Sequence, residues 1–140
     1  MYKTILAAID PEHGDHNRRI LGAAKAAAEM DGADVHLLTV VAAAPAVVSQ
    51  FLHENYEQMA SGQAKQALSD QAAEAGFDKA KVSTSIRFGT IYEEILAAAE
   101  TIGADLIVTG SHKPNVSDYL LGSNAARVVR HAGCSVLVIR

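Results

Sequence analysis

The chain has 140 residues, contains no tryptophan, one cysteine and three prolines, and is only 5% aromatic. A single cysteine, Cys134, forms no disulfide within the chain, so a disulfide-stapled scaffold is excluded. Because Cys134 stands among apolar residues, we expect a small buried thiol and not a reactive one. No apolar run reaches 18 residues, so the sequence predicts no transmembrane helix and no membrane insertion.

Basic residues are the minority among the charged residues, with 12 lysines and arginines against 16 aspartates and glutamates, and the net charge is −4. The basic residues are scattered along the chain, so the positive patch that nucleic-acid binding requires is missing. The first residues enter a strand pattern directly, without the charged and apolar regions of a signal peptide. These features predict a cytoplasmic protein with no nucleic-acid partner.

Several catalytic and metal-binding signatures are missing as well. The sequence contains no GxSxG elbow, no GxxxxGK[ST] loop, no HExxH and no CxxC. Its six histidines form no ligand constellation, so we predict no metal site. Ser111 and His112 are adjacent, but adjacent side chains after a strand point apart, so they make a poor nucleophile–base pair. We predict no catalytic residue.

What is present is a regular alternation of apolar segments across a chain that is 49% hydrophobic, enough for the core of one domain over residues 1–140. Short β-branched and apolar runs indicate strands, and stripes of helical period indicate helices. The predicted strands are 3–9, 35–41, 82–88, 106–109 and 135–140. The predicted helices are 15–31, 49–75, 91–102 and 123–131.

Local signals at the helix ends refine these boundaries. Asp15 is a plausible N-cap of the first helix, and Gly62 is a position at which the second helix can break. Thr90 and Glu93 match a capping box, in which each side chain bonds the other residue's backbone N–H group. All three signals are predictions from residue type and spacing alone.

Strict alternation of five strands and four helices predicts an α/β fold, with a doubly wound parallel sheet that carries helices on both faces. In such sheets a ligand lies beyond the carboxyl ends of the strands, where the strand order reverses. If the first strand is central and the fourth lies beside it, Asp10 and Gly110 face each other across that crevice.

The segment from Asp105 to Ser123 is the strongest candidate for a binding site. A buried strand ends in Gly110, and Gly122 and Ser123 then precede a helix, twelve residues after that first glycine. The N-terminus of a helix presents free N–H groups and favours negative charge, so we predict that this segment holds the phosphates of a nucleotide. The alternative is a plain connecting loop in which Ser123 is only an N-cap. The length of the connection favours a binding loop.

Two charged residues have open roles. Asp10, directly after the first strand, is either an acceptor for ribose hydroxyls or an adenine amine, or a turn residue before Pro11. Lys113 either pairs with a phosphate as a point charge or is a solvated surface lysine.

Taken together, these segments resemble the universal stress protein family over the whole chain. The matching pieces are residues 3–6 (KTIL) with Asp10, 89–95 (GTIYEEI), 104–112 (ADLIVTGSH), 121–130 (LGSNAARVVR) and 134–140 (CSVLVIR). Residues 111–114 (SHKP) and 119–126 (YLLGSNAA) are most similar to the F and G branch of enteric bacterial stress proteins.

The resemblance implies a sheet of order 3-2-1-4-5, similar to the adenine nucleotide alpha hydrolase-like folds. It also implies ATP as the ligand in the nucleotide-binding subset and a homodimer that pairs the last strand across a two-fold axis. By position it implies that Ala8 and Asp10 border adenine and ribose, that Val40 or Val41 lies against the base, and that Gly110, Gly122, Ser123 and Asn124 hold the ribose and the phosphates. We add Ile9, Ser111, His112 and Lys113 to the predicted nucleotide site and expect Mg²⁺ to accompany ATP. The dimer strand would consist of Val136, Leu137, Val138 and Ile139, whose apolar edge would otherwise be exposed.

The family's nucleotide-binding members are described by Gly-x2-Gly-x9-Gly-[Ser/Thr]. This chain departs from that pattern, because Lys113 replaces the second glycine and eight residues, not nine, follow it. The leading hypothesis is an ATP-binding stress or regulatory protein that acts by binding and not by rapid turnover. One alternative is a partner-binding module without nucleotide. Another is a slow ATPase or an autophosphorylating protein with Ser111, Ser117 or Ser123 as acceptor.

Overall fold

The computed structural model describes residues 1–10, 14–42, 56–111 and 122–140, and the side chains from residue 58 within the second helix. Five strands and four helices alternate along these residues. The strands are β1 (Thr4–Ala8), β2 (Asp34–Ala42), β3 (Val82–Gly89), β4 (Leu106–Gly110) and β5 (Ser135–Ile139). The helices are α1 (Gly14–Asp31), α2 (Tyr56–Ala75), α3 (Ile91–Ile102) and α4 (Ser123–His131).

The strands form one parallel sheet in the order β3-β2-β1-β4-β5. This confirms the predicted α/β class and the predicted strand order. β1 is central, with β2 on one side and β4 on the other. The chain therefore builds outward from β1 in one direction and then crosses to the opposite side of β1 after β3. The reversal of strand order lies between β1 and β4.

The two faces of the sheet carry separate apolar clusters, which explains why the central strands are apolar at nearly every position. In β1, Ile5 and Ala7 join one cluster with residues of α1 and α2, whereas Leu6 joins the other with residues of α3 and α4. All three are fully buried. The half-buried Cys134 packs against the second cluster, and burial raises the pKa of its thiol. Among the described helices, none is long and apolar enough to cross a membrane.

The capping box predicted at α3 is wrong. Thr90 is the N-cap, but among the described residues its hydroxyl makes no capping hydrogen bond. The first turn closes through the backbone instead, with the Glu94 N–H donating to the Thr90 carbonyl oxygen at 3.0 Å. Glu93 is turned outward, where its carboxylate accepts a hydrogen bond from the Tyr92 hydroxyl at 3.2 Å. The Glu93 carboxylate thus accepts from a side-chain hydroxyl and not from the Thr90 N–H group that the capping box predicts.

Other predicted helix signals also need correction. α1 begins at Gly14, so Asp15 lies in its first turn and is not its N-cap. Its carboxylate pairs with Arg18 at 2.9 Å, and an acidic group there still favours the helix dipole. Gly62 does not interrupt α2, which runs unbroken from Tyr56 to Ala75. α4 has Gly122 as its N-cap, with Ser123 as its first residue. Residues 49–55 of the predicted second helix lie outside the described residues.

Two carboxylates hold the amino end of β1. Asp105 accepts hydrogen bonds from the backbone N–H groups of Lys3 at 2.8 Å and Thr4 at 3.1 Å. Asp31 pairs with the amino group of Met1 at 2.8 Å and accepts from the Tyr2 N–H at 3.0 Å. These bonds lower the pKa of Asp31, because they stabilise its charged form. β1 is therefore anchored at its start by groups from α1 and from the residue before β4.

A histidine on β2 is bound through both ring nitrogens. The Nδ1 atom of His36 lies 2.7 Å from the Ser83 hydroxyl oxygen, and Nε2 lies 2.7 Å from the Ser85 hydroxyl oxygen. Burial is the main cause that lowers the pKa of His36, and the nearby positive charge of Arg87 lowers it further. The neutral imidazole is consequently the form that the fold stabilises.

This arrangement predicts a pH-dependent stability that His36→Gln removes. As the pH falls below the ordinary histidine value of 6.5, the unfolded chain binds a proton at His36 that the folded chain binds only at lower pH. The contribution is therefore complete above that value and is lost as the pH falls toward the lowered folded-state pKa. Urea unfolding at a series of pH values from 7.5 to 5 should show a shallower loss of stability in the variant. Parallel curves for the two proteins would contradict the assignment.

Candidate functional site

A cavity of about 370 Å³ opens at the carboxyl edge of the sheet, where the ends of β1 and β4 lie side by side. Its walls come from the ends of three strands and from three helices. The lining residues are Ala8, Ile9, Asp10, His16, Ile20, Leu38, Val40, Val41, Ala42, Ile91, Ile95, Thr109, Gly110, Gly122, Ser123, Asn124 and Ala125. The cavity thus occupies the reversal point of the strand order, the place at which doubly wound sheets bind their ligands.

Most of the residues predicted from the sequence meet at this cavity. Those that line it are Ala8, Ile9, Asp10, Val40, Val41, Gly110, Gly122, Ser123 and Asn124. Asp10 and Gly110 lie on its walls together because β1 and β4 are neighbours in the sheet. His112 and Lys113 lie outside the described residues. Ser111 is described, but it does not line the cavity, and its side chain forms a hydrogen bond with Gly122.

Ser111 ties the end of β4 to the start of α4. Its hydroxyl oxygen accepts a hydrogen bond from the Gly122 N–H at 3.0 Å, and its own N–H donates to the Ile139 carbonyl oxygen at 2.8 Å. The Gly122 N–H group, which the sequence predicted as a phosphate donor, is therefore bonded within the protein. Ser111 therefore links the residue after β4 directly to the N-cap of α4.

The first turn of α4 presents its remaining N–H groups toward the cavity. The first intrahelical bond is donated by the Ala126 N–H to the Gly122 carbonyl oxygen at 2.9 Å. The N–H groups of Ser123, Asn124 and Ala125 precede it, so they have no partner within the helix. The first turn contains no acidic residue, and Arg130 and His131 lie in the last turn. The positive end of the helix dipole thus borders the cavity, and no acidic residue of the first turn offsets it.

The opposite wall is apolar and is formed where β2 extends beyond β1. Pairing between the two strands stops at Ala8 and Leu38, whereas β2 continues to Ala42 and pairs there with β3. Val40 and Val41 lie on this extension and contribute to the wall, and Ile91 and Ile95 of α3 add to it. Among the described residues, no strand borders the β1 side of this extension. The wall therefore combines an apolar surface with an edge of peptide groups.

Gly110 is crowded from within the protein. A Cβ atom built on it would lie 2.2 Å from Nε2 of His16 and 3.0 Å from Cδ1 of Ile20. Both side chains come from α1, one helical turn apart, and pack across the end of β4. Within the protein, glycine at this position permits the approach of an imidazole ring, and the approach of a phosphate to Gly110 stays a prediction.

Sequence reasoning missed the contribution of α1 and α3 to the site. His16 and Ile20 of α1, Ile91 and Ile95 of α3, and Thr109 of β4 all line the cavity. Ile20, Ile91 and Ile95 pack in the apolar clusters under their helices, and the same side chains also line the cavity. His16 precedes Ile20 by four residues and so shares its helix face, and this spacing was the available signal.

Such a crevice, bordered by a helix N-terminus and set at the strand reversal of a parallel sheet, is where proteins of the doubly wound α/β class bind their ligands. The chain belongs to the universal stress protein family, because the model of the "Universal stress protein family" matches residues 1–140.

Three known proteins illustrate the relationship. Universal stress protein G of Escherichia coli O157:H7 is 34% identical over 146 residues, covering 100% of both chains, in agreement with the predicted resemblance to the F and G branch. The structure of MJ0577 from Methanocaldococcus jannaschii matches with a TM-score of 0.80 and 29% identity, over 99% of this chain and 96% of that one. The universal stress protein of Archaeoglobus fulgidus in complex with dAMP has a TM-score of 0.70 and 20% identity, over 99% and 98%.

Proposed function

We propose that this protein binds an adenine nucleotide, ATP with its Mg²⁺ ion, in the cavity between β1 and β4. It then acts in a stress response or in regulation through nucleotide-dependent binding, without rapid turnover. The observation that supports the proposal most strongly is the convergence of Asp10, the end of β2 and the first turn of α4 on one cavity. A complex with dAMP in a protein of the same fold supports it further.

The adenine ring is proposed to lie against the extension of β2. Val40 and Val41 provide an apolar surface for the flat ring. The peptide groups along the strand edge offer a donor and an acceptor that suit the N1 atom and the amino group of adenine. Guanine presents the opposite pattern at the same two positions, so this edge would disfavour it.

The ribose and the phosphates follow toward α4. Asp10, at the end of β1, is the proposed acceptor for the ribose hydroxyls, because a carboxylate accepts strong hydrogen bonds from them. The N–H groups of Ser123 and Asn124, at the positive end of α4, are the proposed phosphate donors. The predicted role of Lys113 as a point charge belongs to the same proposal.

In this proposal the nucleotide works by shifting populations. A ligand that binds one conformational or assembly state more tightly than another stabilises that state in proportion to its differential affinity. Neither turnover nor covalent transfer is needed for such a signal. The proposed setting is the cytoplasm, where ATP is available as the ligand.

A nucleotide panel tests the proposal. We expect titration calorimetry to give micromolar ATP binding, about −8 kcal/mol, with GTP weaker by about tenfold. Inorganic tripolyphosphate should bind more weakly still, because it lacks the base and the ribose. Equal affinities for ATP, GTP and tripolyphosphate would contradict the proposed placement of adenine, and no binding at all would favour the nucleotide-free partner-binding module.

We also propose that the protein is a homodimer through β5. This strand is the last of the sheet and pairs with β4 alone among the described strands. Leu137 is 39% exposed on it, and Val129 of the neighbouring α4 is 46% exposed. An apolar edge of this kind is protected by pairing with a second copy.

Leu137→Glu should separate that dimer into single chains, because it places a charge at the proposed strand pairing. Met30→Glu is the matched control, since Met30 is 84% exposed near the end of α1 and belongs to no strand. Light scattering should give the mass of two chains for the wild type and the control and of one chain for Leu137→Glu. A wild type with the mass of one chain would remove the proposal.

A further inference from the structure

Buried polar side chains are few, and two of them serve the same short segment. Among the described residues, Asn17 and Thr39 are each 1% exposed and Thr109 is 5% exposed. Burying such groups is unfavourable unless their hydrogen bonds are made, so their partners reveal what they do. The polar atoms of Asn17 and Thr39 form hydrogen bonds with the backbone of Ile9 and Asp10.

Asn17 pairs with both backbone groups of Asp10. Its Oδ1 atom accepts a hydrogen bond from the Asp10 N–H at 3.1 Å, and its Nδ2 donates to the Asp10 carbonyl oxygen. Only a carboxamide supplies the donor and the acceptor that this pairing needs. These bonds join the first turn of α1 to the second residue after β1.

Thr39 completes the arrangement from the other side. Its hydroxyl donates to the Ile9 carbonyl oxygen at 3.1 Å, and the Ile9 N–H donates to the Leu38 carbonyl oxygen at 2.8 Å. All four backbone polar groups of Ile9 and Asp10 therefore have protein partners. This holds just past the end of β1, where regular strand pairing has stopped.

We propose that Asn17 and Thr39 are positioning residues that fix Asp10 for hydrogen bonding to the ribose hydroxyls of the bound nucleotide. The inference rests on the proposed function. Neither side chain is among the described residues that line the cavity, so both act through Asp10. A side chain whose backbone is already ordered loses less conformational freedom when it binds, which increases affinity.

The proposed role of Asn17 and Thr39 predicts which contacts of the nucleotide weaken when either residue is replaced. If the two residues act through Asp10, their loss weakens only the contacts with the 2′ and 3′ hydroxyls. The contacts of adenine with β2 and of the phosphates with α4 do not depend on Asp10. ATP and 2′,3′-dideoxy-ATP therefore distinguish positioning of Asp10 from general damage to the cavity.

The experiment is titration of Mg²⁺-ATP and Mg²⁺-2′,3′-dideoxy-ATP into wild type, Asn17→Ala and Thr39→Val. We expect the wild type to bind ATP about tenfold more tightly than the dideoxy nucleotide, because the dideoxy nucleotide lacks the hydroxyls that donate charge-assisted hydrogen bonds to Asp10. Both variants should lose that preference, so that the ratio of the two affinities falls to about one. Thr39→Val keeps the volume of the side chain and removes only the hydroxyl, so it serves the test if Asn17→Ala does not fold.

Two controls separate positioning from stability. Asp105→Ala removes two side-chain bonds to the backbone at the other end of β1, so it should lower the melting temperature yet keep the affinity ratio. Asp10→Ala should itself give a ratio of about one, and adding Asn17→Ala to it should change the ratio no further.

The outcomes are distinct. A wild-type ratio that persists in both Asn17→Ala and Thr39→Val would overturn the inference while leaving nucleotide binding intact. Equal wild-type affinities for the two nucleotides would also overturn it, since Asp10 would then not bind the ribose, and adenine-nucleotide binding would still stand. Failure of the wild type to bind either nucleotide would remove the proposed function and this inference together.

Discussion

Replacing Gly110 with alanine should lower the free energy of unfolding by about 1–3 kcal/mol, the usual cost of overpacking a filled site. The added methyl group would lie 2.2 Å from Nε2 of His16 and 3.0 Å from Cδ1 of Ile20. Ile20 is 2% exposed, so its side chain has little room to move aside. The backbone of Gly110 does not have a positive φ, so the cost comes from crowding and not from backbone strain.

Urea unfolding of Gly110→Ala and of a matched control measures this effect. Gly133→Ala is the control, because Gly133 lies outside α4 and a Cβ atom there meets no described atom within 4 Å, so its stability should stay within about 0.5 kcal/mol of the wild type. In His16→Ala, Gly110→Ala should cost much less, since the imidazole that it meets is gone. A Gly110→Ala protein as stable as Gly133→Ala would show that α1 does not pack on the end of β4 as described.

Replacing Asp10 with alanine should weaken ATP binding by about 10–100-fold, the equivalent of about 1.5–3 kcal/mol for hydrogen bonds to a charged group. The Asp10 side chain is exposed at the cavity, and its backbone is held by Asn17 through main-chain groups that alanine retains. The affinity is therefore measured well below the melting temperature of each protein, so that loss of binding is separated from loss of folding. Loss of affinity in the folded variant would identify Asp10 as a ligand-binding residue.

Asp10→Asn is the graded comparison for that result. It keeps the shape and the ability to accept a hydrogen bond but removes the charge, so its affinity for ATP should lie between those of the wild type and Asp10→Ala. ATP binding by Asp10→Ala that equals the wild type would leave Asp10 as a turn residue before Pro11, which is the alternative that the sequence allows.

The fold could be predicted well because its signals are local and redundant. Each central strand is a short apolar run, since both of its faces are covered, as Leu6 and Ala7 illustrate on β1. Alternation with amphipathic helices then restricts the sheet to parallel arrangements. Strand order could not be obtained from periodicity, and it came from the resemblance to a family. Once β1 and β4 were neighbours, Asp10 and Gly110 necessarily met at one edge.

The parts that could not be predicted depend on which partner a polar group takes. Glu93 matched a capping box by spacing, yet its carboxylate bonds the Tyr92 hydroxyl. Asn17 falls within the predicted helix 15–31 with no signal of its own, and only the tertiary structure shows that its carboxamide pairs with Asp10. Residue type and spacing restrict the possible partners, but the final choice depends on the geometry of the whole site.

The same limit applies to Gly110 and Ser111. The sequence identified both as residues of the binding segment, and the structure shows what each contacts within the protein. Gly110 makes room for His16, and the Ser111 hydroxyl accepts from the Gly122 N–H. A glycine-and-serine pattern alone does not distinguish a site that contacts a ligand from one that is packed by its own chain.

The central claim is that the phosphates of ATP lie at the start of α4, and one titration tests it most directly. Mg²⁺-ATP is titrated calorimetrically into the wild type, Gly122→Val and Gly133→Val. Gly122 lines the cavity, Gly133 follows the opposite end of α4, and an added Cβ atom at either meets no described atom within 4 Å. Both variants should therefore fold, and only the first should obstruct the phosphates.

We predict micromolar binding in the wild type and in Gly133→Val, and its loss in a folded Gly122→Val. Unchanged ATP affinity in Gly122→Val would contradict the claim, because a bulky side chain at the start of α4 would then leave the phosphates undisturbed.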